Sequence, residues 1–169
     1  MKLLKNLIVG LLLSAMVPLL AFAGSMTDTY ENKTVDVLFR GQALSESSPA
    51  NFYVALYTTS CTDSARGTEV TGAGYARVAI ARSATAWKGT HGTASGASSG
   101  TSGTISNAAI VQFGAPTANW GTVTSFGIED ASTAGSQVVC NNLTASKNIN
   151  NGDAAPSFAI DALTVQIDN

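Results

Sequence analysis

Apolar and polar positions along this chain follow mostly the two-residue period of β-strands. The clearest strand is predicted at 51–58, where aromatic and branched residues follow one another as NFYVALYT. Further strands are predicted at 75–83, 105–113, 123–129, 137–143, 157–160 and 163–167. Polar turns separate them, including an Asn151-Gly152 turn signal. We therefore expect a mainly all-β domain, an antiparallel β-sandwich or barrel.

One segment near the N-terminus departs from this period. Val35, Leu38 and Phe39 are spaced i, i+3 and i+4, which predicts a short amphipathic helix within 31–44 that ends near Gly41. Its apolar stripe offers a surface that can pack on a neighbour. The fold class is thus all-β with one short N-terminal helix.

The first 23 residues have the pattern of a secretory signal. Lys2 and Lys5 precede the apolar run Leu7–Phe22, and Ala21-Phe22-Ala23 places small residues before a cut at Gly24. A retained membrane anchor is the alternative, but the run is short and contains a proline. We predict a cleavable signal peptide at 1–23, with membrane contact only through its uncleaved form.

The junction at 24–30 leaves the origin of this leader open. Gly24-Ser25 before Met26 resembles a cloning scar, so the leader is either an engineered export tag or part of a natural preprotein. If the signal is used, the protein is periplasmic or secreted. We interpret 24–30 as a linker and 31–169 as a single β domain.

The composition of the chain restricts the classes of molecule that it can bind. Charged residues make up 12% of the chain, about half the usual quarter. Without Lys2 and Lys5, seven basic residues face 11 acidic ones, a net charge of −4. This predicts no nucleic-acid partner. Glycine, serine and threonine dominate 86–104, which predicts a flexible loop or hairpin tip.

No catalytic constellation emerges from the residues. The single histidine, His91, lies in the Gly/Ser-rich loop, and nucleophile or phosphate-binding motifs are missing from the sequence. Glu129 and Asp130 are adjacent, so they point to opposite faces of a strand or cap a turn. A calcium site built from loop carboxylates is a less favoured alternative to solvated side chains. We predict a protein without enzyme activity, cofactor or metal site.

Two pairs of side chains admit structural or functional interpretations. Cys61 and Cys140, 79 residues apart, form a possible disulfide that would stabilise the fold by about 4 kcal/mol. Two unrelated buried thiols are the alternative. Trp87 and Trp120 either stack on sugars or pack in the core or at a subunit interface, and core packing is favoured for Trp120.

Longer motifs carry a family resemblance over nearly the whole chain from Tyr30. They are Phe39-Arg40-Gly41, the strand 53–58 (YVALYT), the segment 67–77 (GTEVTGAGYAR), the segment 120–131 (WGTVTSFGIEDA) and 162–165 (ALTV). In this order they resemble a family of small bacteriophage virion proteins, usually labelled tail fibre proteins. The leader and the long 86–104 loop depart from the family pattern.

The resemblance implies a non-enzymatic virion structural protein, a tail fibre or particle-decoration subunit. Its expected partners are copies of itself, other virion proteins and a host-surface glycan or protein. If the natural start is Met26, the expected location is the virion. The alternative is a secreted adhesin or carbohydrate-binding β-sandwich module. The candidate surface or partner contacts are Phe39, Arg40, Tyr75, Arg77, Trp87 and Trp120.

Overall fold

The computed structural model of the chain describes residues 17–19, 25–41, 49–89 and 103–166. Most of the predicted signal peptide and the central part of the Gly/Ser-rich loop, with His91, lie outside the described residues. Among the residues that are described, no helix is both long enough and apolar enough to cross a membrane.

The predicted helix is present as α1, Asp28–Phe39. It begins after Thr27, whose backbone is extended, and Asp28 and Glu31 place negative charge in its first turn. Carboxylates there interact favourably with the positive end of the helix dipole. The helix ends at Phe39 with Arg40 as its C-terminal cap, and Gly41 then takes a left-handed conformation with φ of 64°. The helix therefore lies a few residues earlier than the sequence predicts, with the predicted C-terminal boundary.

The described residues also form eleven strands, which we number in chain order. They are β1 Val17–Leu19, β2 Ser25–Met26, β3 Asn51–Tyr57, β4 Val78–Ala81, β5 Trp87–Gly89, β6 Thr104–Asn107, β7 Val111–Gln112, β8 Gly121–Glu129, β9 Gln137–Ile149, β10 Pro156–Phe158 and β11 Thr164–Gln166.

A five-stranded antiparallel sheet of order β2-β9-β8-β3-β4 forms the larger layer. At its centre, Leu56 of β3 lies opposite Phe126 of β8. Val54 and Leu56 face the main core, whereas Ala55 and Tyr57 belong to a second buried cluster on the other side of the sheet. The middle of β3 is therefore buried on both faces, which explains its nearly continuous run of apolar residues.

Two three-stranded sheets, β1-β10-β7 and β11-β6-β5, complete the fold. All three sheets contribute to one apolar core, which includes Trp87, Trp120, Phe126, Phe158 and Val165. This mainly antiparallel β architecture with one short helix confirms the predicted fold class and is consistent with a β-sandwich. One pair departs from it, because β1 runs parallel to β10.

Several strand boundaries differ from the prediction. The strand predicted at 75–83 is limited to Val78–Ala81, and the one predicted at 105–113 is interrupted at 108–110. The strand predicted at 137–143 continues to Ile149, because β9 pairs with the whole of β8. At the ends of the Gly/Ser-rich segment, β5 pairs antiparallel with β6. The ends of these strands depend on where their pairing partners end, and the local sequence does not encode that.

Candidate functional site

A buried polar cluster lies around the carboxylate of Glu129 at the end of β8. Glu129 is fully buried, and its Oε1 accepts a hydrogen bond from the Tyr57 hydroxyl. Arg66 donates from Nη2 to Glu129 Oε2 over 2.6 Å, and Arg77 Nη1 lies 3.7 Å from the same oxygen. Gln137 donates to the Tyr57 oxygen over 3.0 Å. A buried charge needs such partners, and here both carboxylate oxygens have them.

A second carboxylate extends this cluster towards the surface. Arg77 donates to Glu69 through Nε and Nη2, over 2.8 and 2.7 Å, in the paired geometry that guanidinium and carboxylate favour. The Tyr75 hydroxyl also donates to Glu69, over 2.9 Å, and accepts the backbone N–H of Leu56. Glu69 is thus tied to β3 through Tyr75 and to β8 through Arg77 and Glu129.

The two arginines also hold the turn that joins β8 to β9. Arg77 Nη1 donates to the carbonyls of Ala131 and Ala134, over 2.8 and 2.9 Å. Arg66 Nη2 donates to the Gly135 carbonyl over 2.8 Å. Ala134 and Gly135 both have positive φ, which is unfavourable for alanine. The arginine contacts therefore stabilise a turn that contains an unfavourable backbone conformation.

Burial and hydrogen bonding set the ionisation of this cluster. Burial raises the pKa of Glu129, although the Tyr57 hydrogen bond and the charges of Arg66 and Arg77 oppose the rise. Burial alone would raise the pKa of Glu69 too. The hydrogen bonds from Arg77 and Tyr75 outweigh it and hold that pKa below its usual value. Burial also raises the pKa of Tyr57, so the phenol remains a neutral donor.

This cluster has the properties of a structural element. Its carboxylates are engaged by arginine and tyrosine donors from the same chain. Among the residues that the structure describes, no group of three or more His, Cys, Asp or Glu side chains could hold a metal ion. Its arrangement fixes the β8–β9 turn to the outer face of β3.

A disulfide lies in the same layer as the cluster. Cys61 and Cys140 are joined, with their Cα atoms 6.1 Å apart, and they pack with Ala55 and Tyr57 in the second buried cluster. The link connects the loop after β3 to β9 across 79 residues. It therefore fastens the face of the sheet that carries Tyr57 and Glu129.

Most of the candidate surface residues lie inside the single chain. Arg77 exposes 4% of its side chain, and Trp120 is buried and donates its indole N–H to the Ala73 carbonyl. Tyr75 is half-buried against the rings of Phe113 and Trp120. The burial of Trp120 agrees with the core packing favoured for it, and Tyr75 packs against its ring. Contact of Tyr75, Arg77 or Trp120 with a partner stays a prediction.

Trp87 lines an apolar cavity of about 380 Å³ between the sheets. Other lining side chains are Phe52, Ile105, Ile128, Val138 and Val165. Trp87 is 9% exposed and belongs to the main core cluster. Trp87 thus packs within the chain, and its stacking on a sugar stays a prediction.

Phe39 and Arg40 are the two candidate contacts that lie on the surface. Leu38 and Phe39 are 69% and 81% exposed at the C-terminal end of α1. Arg40 forms an exposed pair with Asp36, Nη1 to Oδ1 2.9 Å. Sequence reasoning thus located the exposed end of the helix.

Sequence reasoning missed the buried cluster around Glu129, although the sequence contains a pattern that indicates it. An acidic residue ends the otherwise apolar strand 123–129, and Arg77 precedes the strand segment VAI. Ionisable residues at such positions are uncommon unless they are paired inside the fold. Only the pairing of β3 with β8 shows which residues become partners.

Comparison with known proteins identifies the family. The family model described as Podophage GP4 fiber I protein gp80 matches residues 25–166, which include the helix, the buried cluster and ten of the eleven strands. No curated protein matches the chain. The match confirms the resemblance to phage tail fibre proteins, a structural class. The chain belongs to the podophage fibre I gp80 family and is a phage virion structural protein.

Proposed function

We propose that the protein is a fibre subunit that assembles with copies of itself through the exposed end of helix α1. The observation that carries this proposal is the exposure of Leu38 and Phe39 in a domain whose other large apolar side chains are mostly buried. Exposed apolar side chains that adjoin one another are a mark of interaction surfaces. A virion structural protein acts by making contacts with other subunits, which agrees with such a surface.

The two sides of α1 differ in what they contact. On the inner side, Tyr30 donates to Asp130 over 3.0 Å, and Thr34 contacts Met26. On the outer side, Val35, Leu38 and Phe39 fall on one stripe and face solvent. Polar contacts therefore hold the helix on the β8–β9 turn and on β2, and its apolar stripe is available to a partner.

A second copy of the chain is the occupant that best suits this stripe. In a two-fold symmetric dimer, the same surface patch of both subunits meets at the axis. The apolar side chains of one copy would therefore contact the same apolar side chains of the other. The scarcity of charge in the chain favours the same conclusion, because lysine and glutamate are depleted at interfaces. Three side chains cover less than the roughly 800 Å² per partner of a typical stable interface, so additional contacts are expected.

Light scattering of the purified full chain over a range of concentrations tests this proposal. We expect an oligomer for the wild type and a shift towards monomer for Leu38→Ser combined with Phe39→Ser. Ile160→Ser is the matched control, because Ile160 is also about half exposed but lies outside the helix. A wild type that stays monomeric, or a double variant that behaves like the control, would overturn the proposal.

Contact with a host-surface glycan or protein stays a prediction, as does the alternative of a secreted adhesin or carbohydrate-binding module. Trp87 is buried and the Tyr75 ring packs against Phe113 and Trp120, so neither ring forms an exposed platform on which a sugar could stack. Periplasmic or secreted location depends on the predicted signal peptide, and intact-mass measurement of the exported protein would establish its N-terminus.

A further inference from the structure

The apolar cavity beside Trp87 has a buried floor and an open rim, and the two differ in chemistry. Its floor is formed by side chains that are less than a tenth exposed, namely Trp87, Ile128, Val139 and Val165. Its rim is formed by the exposed residues 82–84. The volume of about 380 Å³ is near the lower end of the roughly 300–1,000 Å³ of small-molecule sites. The cavity therefore has room for one small apolar ligand.

A positive charge stands at this rim. Of the described residues that line the cavity, Arg82 alone is charged, and it is exposed. No carboxylate in the described part of the chain forms an ion pair with its guanidinium, whereas Arg66 and Arg77 are paired with buried or half-buried glutamates. Guanidinium groups bind carboxylates through paired, charge-assisted hydrogen bonds. The Arg82 side chain is therefore available to an anion from outside the chain.

The wall of the cavity contains a second donor without an acceptor. The indole N–H of Trp87 is buried, and no described residue accepts a hydrogen bond from it. Trp120, by contrast, donates its indole N–H to the Ala73 carbonyl. Buried indole N–H groups usually have a partner, and one that lacks a partner requires an explanation. A ligand that carries oxygen atoms suits a cavity with such a wall better than a pure hydrocarbon does.

We propose that this cavity binds one single-chain fatty acid, with the alkyl chain between the sheets and the carboxylate on Arg82. Phe52 and Ile128 of the five-stranded sheet and Ile105 and Val165 of the smaller β11-β6-β5 sheet supply apolar walls for the chain. The small volume favours one alkyl chain over the two chains of a phospholipid. The charge at the rim favours a carboxylate over a neutral alcohol. None of the described lining residues belongs to α1, so this site is separate from the surface proposed for self-assembly.

Calorimetric titration of the full chain with decanoate, below the concentration at which it forms micelles, tests the charge at the rim. We expect one decanoate per chain and binding of decanol that is weaker by on the order of tenfold. Arg82→Gln should weaken decanoate binding by a similar factor. Lys147→Gln is the matched control, because it removes the same charge from a residue of β9 that does not line the cavity. Failure to bind decanoate, equal binding of decanol, or equal affinities of the two variants would overturn the proposal.

Tryptophan fluorescence locates the bound chain. Bromine quenches a nearby indole, so undecanoate with bromine at its terminal carbon is the probe, and undecanoate without bromine is its control. Trp87 and Trp120 are the two tryptophans of the chain, and only Trp87 lines the cavity. The brominated probe should quench the wild type saturably, decanoate should reverse the quenching, and Trp87→Phe should lose most of it. Because this variant keeps an aromatic ring in the core, a folded protein is expected. Quenching that is absent from the wild type, or that persists in Trp87→Phe, would place the ligand elsewhere and overturn the proposal.

Discussion

Arg77 donates two parallel hydrogen bonds to the Glu69 carboxylate, over 2.8 Å from Nε and 2.7 Å from Nη2. Its remaining terminal nitrogen, Nη1, donates to two carbonyls of the β8–β9 turn and lies near Glu129. One guanidinium thus links the 67–77 loop, the end of β8 and a strained turn. The consequences of removing it, or of removing its neighbours, follow from this geometry.

Replacing Arg77 with lysine should destabilise the fold by about 1–3 kcal/mol, because an ammonium cannot reproduce the planar set of hydrogen bonds. Urea unfolding followed by tryptophan fluorescence measures the change. Arg40→Lys is the matched control, since the Arg40–Asp36 pair is exposed and should contribute no more than about 0.5 kcal/mol. Equal losses in the two variants would show that the buried cluster carries no special stability.

Replacing Tyr57 with phenylalanine should cost about 1–3 kcal/mol, because Glu129 loses a donor and Gln137 loses an acceptor inside the protein. The ring and its packing are retained, so the loss reports the hydroxyl. Tyr53→Phe on the same strand is the control, and it should remain within about 0.5 kcal/mol of the wild type. Thermal unfolding of the three proteins at neutral pH provides the comparison.

Stability should fall on acidification as Glu69 takes up a proton. Its pKa is lower in the folded protein than its ordinary value of 4.5. An acid with a lowered folded pKa stabilises the fold above its unfolded value, and this contribution is lost as the pH falls through the folded value. The raised pKa of Glu129 has the opposite effect, because its protonation favours the folded state as the pH falls.

The Glu69→Gln variant separates these two contributions. It should be less stable than the wild type at neutral pH and lose less further stability below pH 4.5. Asp36→Asn, which removes an exposed carboxylate, serves as the control. Unfolding free energies measured from pH 7 to pH 3 should show the smaller acid slope only for Glu69→Gln. An unchanged slope in that variant would exclude Glu69 as the source.

Breaking the Cys61–Cys140 link should lower stability by about 4 kcal/mol, because it releases a long loop in the unfolded chain. Thermal unfolding with and without a reductant measures this loss, and the variant with both cysteines replaced by alanine should match the reduced protein. In that variant the reductant should have no effect. Intact mass before reduction should be lower than that of the reduced chain by two hydrogens, and equal masses would contradict the link.

The local sequence pattern was sufficient to predict the elements whose formation depends on residues close in sequence. The aromatic and branched run of β3, the i, i+3, i+4 stripe of α1 and the Asn151-Gly152 turn depend on near neighbours. These features appeared where they were predicted, with shifted ends. The exposed Phe39 belongs to the same group, because the i, i+4 spacing by itself places it beside Val35.

Pairing between distant segments was decided only by the tertiary structure. Tyr57 and Glu129 are 72 residues apart, and their hydrogen bond exists because β3 and β8 are adjacent in one register. A one-residue shift of that register would turn Glu129 to the opposite face of the sheet. The parallel placement of β1 beside β10 likewise joins segments at opposite ends of the chain. By itself, the sequence determined the β-rich class, the helix and the family motifs, because these are encoded in short spacings. The burial of Arg77 and Glu129 required the fold, because a charge becomes a core residue only when its partner arrives from elsewhere in the chain.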